Sequence, residues 1–144
     1  MVYYKKKTIV FDFDGVIHSG YRGYGDGSIY GKIDFDLLDY IKKLMKNYYI
    51  VISSNRPAEQ IVKYMNDLDY GIEFKLFNKD MDENMYWNDS DAIGVTNQKA
   101  VGWLYVDDRG FRYKNLEDLK KFIKEENYES NDYSANGRKK WRWC

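Results

Sequence analysis

Residues 8–15 read Thr-Ile-Val-Phe-Asp-Phe-Asp-Gly, an apolar run that ends in two aspartates one residue apart and then a glycine. The β-branched and aromatic start predicts a buried strand that ends at this acidic turn. If the strand continued, Asp12 and Asp14 would point to the same side, because side chains alternate along a strand. Two carboxylates that converge on one point repel each other unless a cation lies between them. The stretch therefore predicts a divalent-metal site, and the later pair Asp107-Asp108 supports that prediction.

The composition is that of a globular chain without a global electrostatic preference. Its 144 residues fit one domain, and 44% of them are apolar. Lys and Arg together number 23, as do Asp and Glu, so the zero net charge argues neither for nucleic acid nor for an anionic membrane. Residues 138–143 are nevertheless all basic or aromatic. This segment could grip nucleic acid through cation and stacking contacts, or form a solvated tail.

Cysteine, histidine and hydropathy exclude several classes of protein. The one cysteine, Cys144, allows no intrachain disulfide, and a single histidine leaves no Cys/His cluster for zinc. No segment reaches the ~18 consecutive apolar residues of a membrane-spanning helix. The N-terminal apolar run is short and is interrupted by Asp12 and Asp14, so we expect no signal peptide. The expected setting is reducing and cytoplasmic, without a membrane partner.

Strand-like and helix-like patterns alternate along the chain. The predicted strands are residues 8–11, 48–52, 72–76 and 101–106. The predicted helices have apolar residues at helical spacing within 37–45, 61–68 and 116–123. Asp34 and Asn115 are the expected N-caps of the first and last helix, and Pro57 is placed in the first turn of the second.

The remaining segments are predicted to be irregular. Five glycines make residues 18–32 a loop or small flap, and the polar residues 78–98 predict a loop with a short turn of helix. We therefore expect one domain over residues 1–126, followed by a C-terminal extension or tail at 127–144.

Strands that alternate with helices predict a three-layer, Rossmann-like α/β fold, with a parallel sheet and helices on both faces. In such sheets ligands bind beyond the carboxyl ends of the strands. Polar clusters follow three of the predicted strands: Asp12 and Asp14, Ser53 and Ser54, and Asp107 and Asp108. We therefore expect these side chains to meet at one edge of one sheet.

A sheet edge with carboxylates, a hydroxyl and an ammonium has the groups that phosphoryl transfer requires. Mg²⁺ prefers a few carboxylates together with waters and substrate phosphate oxygens. Asp12 could attack phosphorus to form an aspartyl-phosphate, while Asp14, starting protonated, could serve the leaving oxygen and then the attacking water. A hydroxyl from Ser53 or Ser54 and the ammonium of Lys99 would hold the phosphate oxygens. The predicted activity is Mg²⁺-dependent hydrolysis of a phosphomonoester.

Four motifs, in order, resemble those of the haloacid dehalogenase superfamily. Phe-Asp-Phe-Asp-Gly-Val at 11–16 resembles its first motif. Val-Ile-Ser-Ser-Asn-Arg-Pro at 51–57 resembles the second, in a Ser-x-Arg-Pro form that favours Ser54 over its neighbour. Lys99 matches the third motif, and Leu-Tyr-Val-Asp-Asp-Arg at 104–109 resembles the fourth. The ordered set is more specific than any single motif.

The resemblance implies a role for each matching residue. It makes Asp12 the nucleophile and a metal ligand, and it makes Asp14 the acid/base, which reaches Mg²⁺ through its backbone carbonyl. It also implies a metal ligand from the fourth motif. We expect Asp108 to be the direct ligand and Asp107 to support it, although the motif itself leaves the choice between them open.

The chain also resembles the capless branch of this superfamily. Neither interval in which a cap is inserted, here 16–34 and 55–98, is long enough for a full cap domain. Capless members often act on large substrates or cover the site with a loop or partner, and the phosphatase part of polynucleotide kinases shares the Asp-Asp-Arg ending. The substrate classes left open are a nucleotide, a sugar phosphate and a nucleic-acid 3′-phosphate.

Some residues, and the function itself, have alternative interpretations. Arg56 and Arg109 could contact substrate or lie on the surface, and we expect His18 to be exposed in the glycine-rich loop without a catalytic role. A non-enzymatic phospho-switch also places aspartates, a hydroxyl and a lysine at a sheet edge, and a phosphate-binding protein could share the fold. Because Asp14 is positioned to hydrolyse the intermediate, the enzyme is the leading hypothesis.

Overall fold

The computed structural model describes residues 6–23, 25–77, 87–107 and 112–124, which form an α/β fold with a parallel sheet flanked by helices. The strands are β1 (Lys7–Phe11), β2 (His18–Ser19), β3 (Lys32–Ile33), β4 (Tyr48–Ser53), β5 (Glu73–Leu76), β6 (Ala92–Thr96) and β7 (Leu104–Val106). Five of them form one sheet in the order β5-β6-β4-β1-β7, and every pairing within it is parallel. β2 and β3 form a separate antiparallel pair. The predicted α/β class with a parallel sheet is confirmed.

The described residues include three helices: α1 (Phe35–Leu44), α2 (Ala58–Asp67) and α3 (116–124). The Asp34 side chain accepts a hydrogen bond from the N–H of Leu37 at 3.0 Å, and Asn115 accepts one from Asp118 at 2.9 Å. Both predicted N-caps are therefore confirmed. Pro57 is the N-cap of α2, one position before its predicted place. Among these helices, none combines the length and hydropathy that crossing a bilayer requires.

The helices lie on one face of the sheet. Their buried side chains join a single apolar cluster with alternate strand residues such as Ile9 and Ile50, which are neighbours across β1 and β4. The other face contains Val10 and Val51. It is covered by three side chains from connecting segments: Phe77, Trp87 and Ala100. In the described residues, helices cover one face of the sheet, so the prediction of helices on both faces is confirmed for that face alone.

The direction of the crossovers explains this arrangement. The units β1-α1-β4 and β4-α2-β5 step the same way across the sheet, so right-handed crossovers place both helices on the same face. The return from β6 to β7 passes back over β4 and β1 through the short connection 97–103, on the opposite face. As a result, β1 lies between β4 and β7.

The prediction of a loop over residues 78–98 is wrong for residues 92–96, which form strand β6. Its residues, Ala-Ile-Gly-Val-Thr, are all buried and form the strand between β5 and β4. The strand pattern is weak because Gly94 provides no bulk, and the indole of Trp87 fills that space. The Trp87 Nε1 donates to the carbonyl of Ala92 at 3.0 Å. Strand β7 is shorter than predicted. Residues 78–86 and the predicted extension at 127–144 lie outside the described residues.

Gly94 should not accept even a methyl group. A Cβ at this position would lie 2.6 Å from the Cδ2 atom of Trp87, closer than real Cβ contacts. Overpacking of this kind costs about 1–3 kcal/mol, so Gly94→Ala should lower the free energy of unfolding, measured in urea, by that amount. In a Trp87→Leu background the same change should cost less. An unchanged urea midpoint for the single variant would contradict this account of β6.

Candidate functional site

The carboxyl ends of three adjacent strands carry the predicted site residues. Asp12 follows β1, Ser54 follows β4 and Asp107 follows β7. The last residue of β1, Phe11, is level with the penultimate residue of β4 and with the last residue of β7. The N–H of Asp12 also donates to the carbonyl of Val106 at 3.2 Å, which extends the β1–β7 pairing by one residue. The structure thus brings the three polar positions together at one edge.

Two neighbouring clefts open at this edge. Both clefts are lined by Asp12, Ser54 and Asp107. The first, of about 370 Å³, adds Asp14, and the second, of about 520 Å³, adds Lys99. All five described members of the predicted catalytic and metal set therefore border one continuous surface. Asp108 and Arg109, the other predicted ligand and substrate contact from the fourth motif, lie outside the described residues.

The connection that carries Lys99 is tied to the end of β4. The Ser53 hydroxyl donates to the carbonyl of Gln98 at 2.8 Å. Ser53 was a predicted substrate contact, but in the structure its hydroxyl proton holds this connection. The Ser54 hydroxyl oxygen accepts from the N–H of Arg56 at 3.2 Å and lines both clefts. Of the two serines, Ser54 is therefore the one placed to donate to a phosphate oxygen.

The carboxylate of Asp14 lies between two donors, with 14% of its side chain exposed. The Arg56 Nε is 2.9 Å from Oδ1 and 2.8 Å from Oδ2. On the other side, the Nδ1 of His18 is 2.8 Å from Oδ1. A carboxylate that accepts from a guanidinium and an imidazole makes charge-assisted hydrogen bonds, which fix its orientation. Asp14 thus enters the cleft in one defined position.

Arg56 is bound to other residues of the protein, whereas the sequence left open whether it contacts substrate or lies on the surface. Its side chain is only 1% exposed. Besides its contacts with Asp14, Nη1 donates to the carbonyl of Gly27 at 2.6 Å and Nη2 to that of Ser28 at 3.2 Å. The amide of Gln60 donates to the same Gly27 carbonyl at 2.8 Å. Arg56 therefore ties the glycine-rich 18–32 loop to Asp14 and α2, and the predicted flap is anchored near its middle.

His18 corrects a second expectation, because it is fully buried rather than exposed. It begins β2 and pairs with Ile33 of β3. Its ring lies against Phe13, Tyr21 and Tyr30, with centroid distances of 5.7, 5.8 and 5.2 Å. The aromatic residues around the glycines were a signal of this burial, but their spacing matches neither a helix nor a strand, so pattern analysis missed it.

Two tyrosines that the sequence did not single out also line the cleft of Asp14. Desolvation, and after it the negative charge of Asp14, raises the pKa of Tyr21. Desolvation and then the charge of Asp34 raise the pKa of Tyr113 to about 12, and its hydroxyl lies 3.5 Å from an Asp34 oxygen. Both phenols keep their protons at neutral pH; the Tyr113 hydroxyl donates to Asp34, whereas the Tyr21 hydroxyl can donate a hydrogen bond to an anionic ligand.

The raised pKa of Tyr113 predicts a loss of stability in alkali. The unfolded phenol titrates near about pH 10, so its contribution is complete below that pH and is lost as the pH rises through the folded pKa of about 12. Between about pH 9 and about pH 12, wild type should lose more unfolding free energy than Tyr113→Phe, measured in urea. Other tyrosines titrate in both proteins and cancel in the comparison. Parallel losses would contradict the shift.

The described donors fit a Mg²⁺ site in part. Within the described ranges, no three His, Cys, Asp or Glu side chains are placed to hold a metal ion. The clefts share the carboxylates of Asp12 and Asp107, and Mg²⁺ is often bound by one or two carboxylates with waters and substrate oxygens. The Asp12 Oδ1 accepts from the N–H of Phe13 at 2.8 Å, which orients that carboxylate. The carboxylate of Asp14 faces Arg56, and the role of its backbone carbonyl as a metal ligand stays a prediction.

Comparison with known proteins assigns no family. No protein-family model, no curated protein and no solved structure matches the chain significantly.

Proposed function

We propose that the protein is a Mg²⁺-dependent phosphomonoester hydrolase, with a Rossmann-like fold of the haloacid dehalogenase type and no large cap domain. The observation that carries the proposal is the position of Asp12, which follows the strand between those that lead to Ser54 and Asp107. A phosphate held by the Ser54 hydroxyl and the Lys99 ammonium would lie beside the Asp12 carboxylate. Alignment of this kind supports nucleophilic attack by a carboxylate.

The proposed reaction has two steps. First, an oxygen of Asp12 bonds to phosphorus while the ester P–O bond breaks, and Asp14 gives a proton to the leaving oxygen. Then Asp14 takes a proton from water, whose oxygen attacks phosphorus and releases inorganic phosphate and the Asp12 carboxylate. Bound Mg²⁺ would offset the negative charge between Asp12 and the phosphate. Asp12, the backbone carbonyl of Asp14 and an aspartate after β7 would hold the ion.

The contacts of Asp14 make the two steps unequal. Arg56 and His18 both donate to its carboxylate, which fixes the orientation of the oxygens that take a proton from water in the second step. Before the first step Asp14 must carry a proton beside the charge of Arg56. Esters with good leaving groups do not need that proton, so aryl phosphates should be better substrates than alkyl phosphates.

The test is hydrolysis of p-nitrophenyl phosphate by the full chain with Mg²⁺ and after addition of EDTA. We expect release of p-nitrophenol that stops with EDTA and returns with excess Mg²⁺. A nucleoside monophosphate, a sugar phosphate and an oligonucleotide 3′-phosphate then compare the open substrate classes. Absence of turnover on all of these phosphates, or activity that EDTA does not change, would count against the proposal.

A phospho-switch is the second candidate, and the ion pair of Asp14 with Arg56 is the observation that favours it. If Arg56 prevents Asp14 from activating water, an aspartyl-phosphate on Asp12 would persist. Phosphorylation with acetyl phosphate, followed over time by mass spectrometry, separates the two functions. Rapid loss of the phosphoryl group indicates a hydrolase, and its persistence indicates a switch.

A further inference from the structure

His18 is a buried side chain with both ring nitrogens engaged. The Nδ1 lies 2.8 Å from Oδ1 of Asp14, and the N–H of Gly31 donates to Nε2 at 2.8 Å. Only glycine fits the second contact, because a Cβ at Gly31 would lie 2.7 Å from Nε2 and would also collide with the carbonyl of Ser19. The ring is therefore held in place from both sides.

These two contacts assign the tautomer of His18. Because Nε2 accepts a hydrogen bond from a backbone N–H, it carries no proton, and the ring proton is on Nδ1. A neutral His18 therefore donates its Nδ1–H to Asp14. The contact is a directed hydrogen bond, and it does not require a charged imidazole.

We infer that His18 is a positioning residue for Asp14, a role that rests on the proposed hydrolase activity. Among the described contacts, Oδ1 of Asp14 accepts from both His18 and Arg56, whereas Oδ2 accepts from Arg56 alone. His18 thereby selects one orientation of the carboxylate and leaves Oδ2 as the oxygen that exchanges a proton with the leaving group and with water. A carboxylate held by a single partner could rotate about its side-chain bonds.

The same histidine connects the site to the glycine-rich loop. Its Nε2 is bonded to Gly31 near the end of the loop, and Arg56 holds the carbonyls of Gly27 and Ser28 in the middle. Both donors of Asp14 are thus attached to residues of the 18–32 segment. A displacement of this segment would therefore also change the contacts that hold Asp14.

Two substitutions distinguish the positioning of Asp14 by His18 from the effect of the volume of the His18 ring. Asn can place its amide nitrogen where Nδ1 lies, so His18→Asn keeps a donor for Asp14, whereas His18→Phe keeps the ring and removes the donor. The kcat/KM of an alkyl phosphate includes proton donation to the leaving oxygen, so we expect a loss of about 10- to 100-fold in His18→Phe. For p-nitrophenyl phosphate the loss should be several times smaller. His18→Asn should recover most of the alkyl phosphate activity.

The tautomer can be measured without any turnover. The chain contains one histidine, so protein labelled with ¹⁵N-histidine gives a single imidazole in long-range ¹H–¹⁵N correlation spectra. We expect the neutral Nδ1–H form in the wild type. A neutral ring with its proton on Nε2 in place of Nδ1 would overturn the inference.

The two experiments together separate failure of the inference from failure of the proposed function. Equal losses of His18→Phe on both phosphates, with an active wild type, would overturn the positioning role alone. A wild type that hydrolyses neither phosphate would overturn the proposed function and with it this role of His18, whatever the tautomer. If His18→Phe does not fold, His18→Leu takes its place as the variant without a donor: a larger loss on the alkyl phosphate that His18→Asn recovers supports the inference, and equal losses on both phosphates overturn it.

Discussion

Replacing Asp12 by Asn should abolish phosphate-ester hydrolysis, lowering kcat for p-nitrophenyl phosphate by about 10³-fold or more. The amide cannot form a covalent bond to phosphorus as a carboxylate does, and it is a poor ligand for Mg²⁺. The substitution should leave the fold intact, because the Asn Oδ1 can still accept from the N–H of Phe13 as Asp12 does at 2.8 Å. The activity is measured as the initial rate of p-nitrophenol release in the presence of excess Mg²⁺.

A matched control removes the same charge elsewhere. Asp36 lies in the first turn of α1 and is exposed, so Asp36→Asn should retain wild-type activity. Covalent catalysis also predicts that Asp14→Asn, which slows the second step, accumulates phosphate on Asp12 and that Asp12→Asn accumulates none. Substantial turnover by Asp12→Asn, equal to that of the Asp36 variant, would reject the covalent mechanism.

The strand ends were predictable from sequence because each follows an uninterrupted apolar run. Thr8 to Phe11 and Tyr48 to Ile52 are hydrophobic on both faces of the sheet, as buried parallel strands must be, and the first polar residue then marks the carboxyl end. The topology places β1 between β4 and β7, so Asp12, Ser54 and Asp107 lie together at one edge of the sheet because of the strand order alone. This part of the candidate site depends on local pattern and on general rules for parallel sheets alone.

The remaining parts depend on tertiary partners that no local pattern encodes. β6 is a strand because Trp87 fills the space above Gly94, and its short sequence gives only a weak signal by itself. His18 is buried because the segment before α1 folds back and supplies Tyr30 and the Gly31 amide. In each case the decisive contact joins residues from different elements or distant points of one loop, which pattern analysis treats as independent.

Arg56 differs from these because its motif was recognised while its partners were not. The Ser-x-Arg-Pro segment placed Arg56 near the predicted site, but the sequence could not distinguish a substrate contact from a surface residue. The guanidinium instead binds Asp14 and two loop carbonyls. A long side chain can reach either an anionic ligand or an internal carboxylate, and only the position of Asp14 decides between them.

Replacing Arg56 by Met should lower the free energy of unfolding by about 3 kcal/mol, the lower end of the cost of breaking a buried ion pair. Met retains much of the side-chain volume but leaves Asp14 without its guanidinium and removes the donors to Gly27 and Ser28. We expect a lower urea midpoint with an unchanged m-value, because the surface exposed on unfolding does not change. Hydrogen exchange at the amides of the 18–32 loop should accelerate in the same variant.

The exposed pair of Lys63 with Asp67 is a matched control, since its side chains are 79% and 66% exposed and the contact is 3.0 Å. Lys63→Met should change stability by less than about 0.5 kcal/mol, because solvent screens exposed pairs. Much of the Arg56→Met cost comes from the carboxylate left behind, so adding Asp14→Asn should recover part of it. Strict additivity of the two substitutions, or equal costs for Arg56→Met and Lys63→Met, would show that Arg56 does not hold Asp14. The loop would then need another anchor.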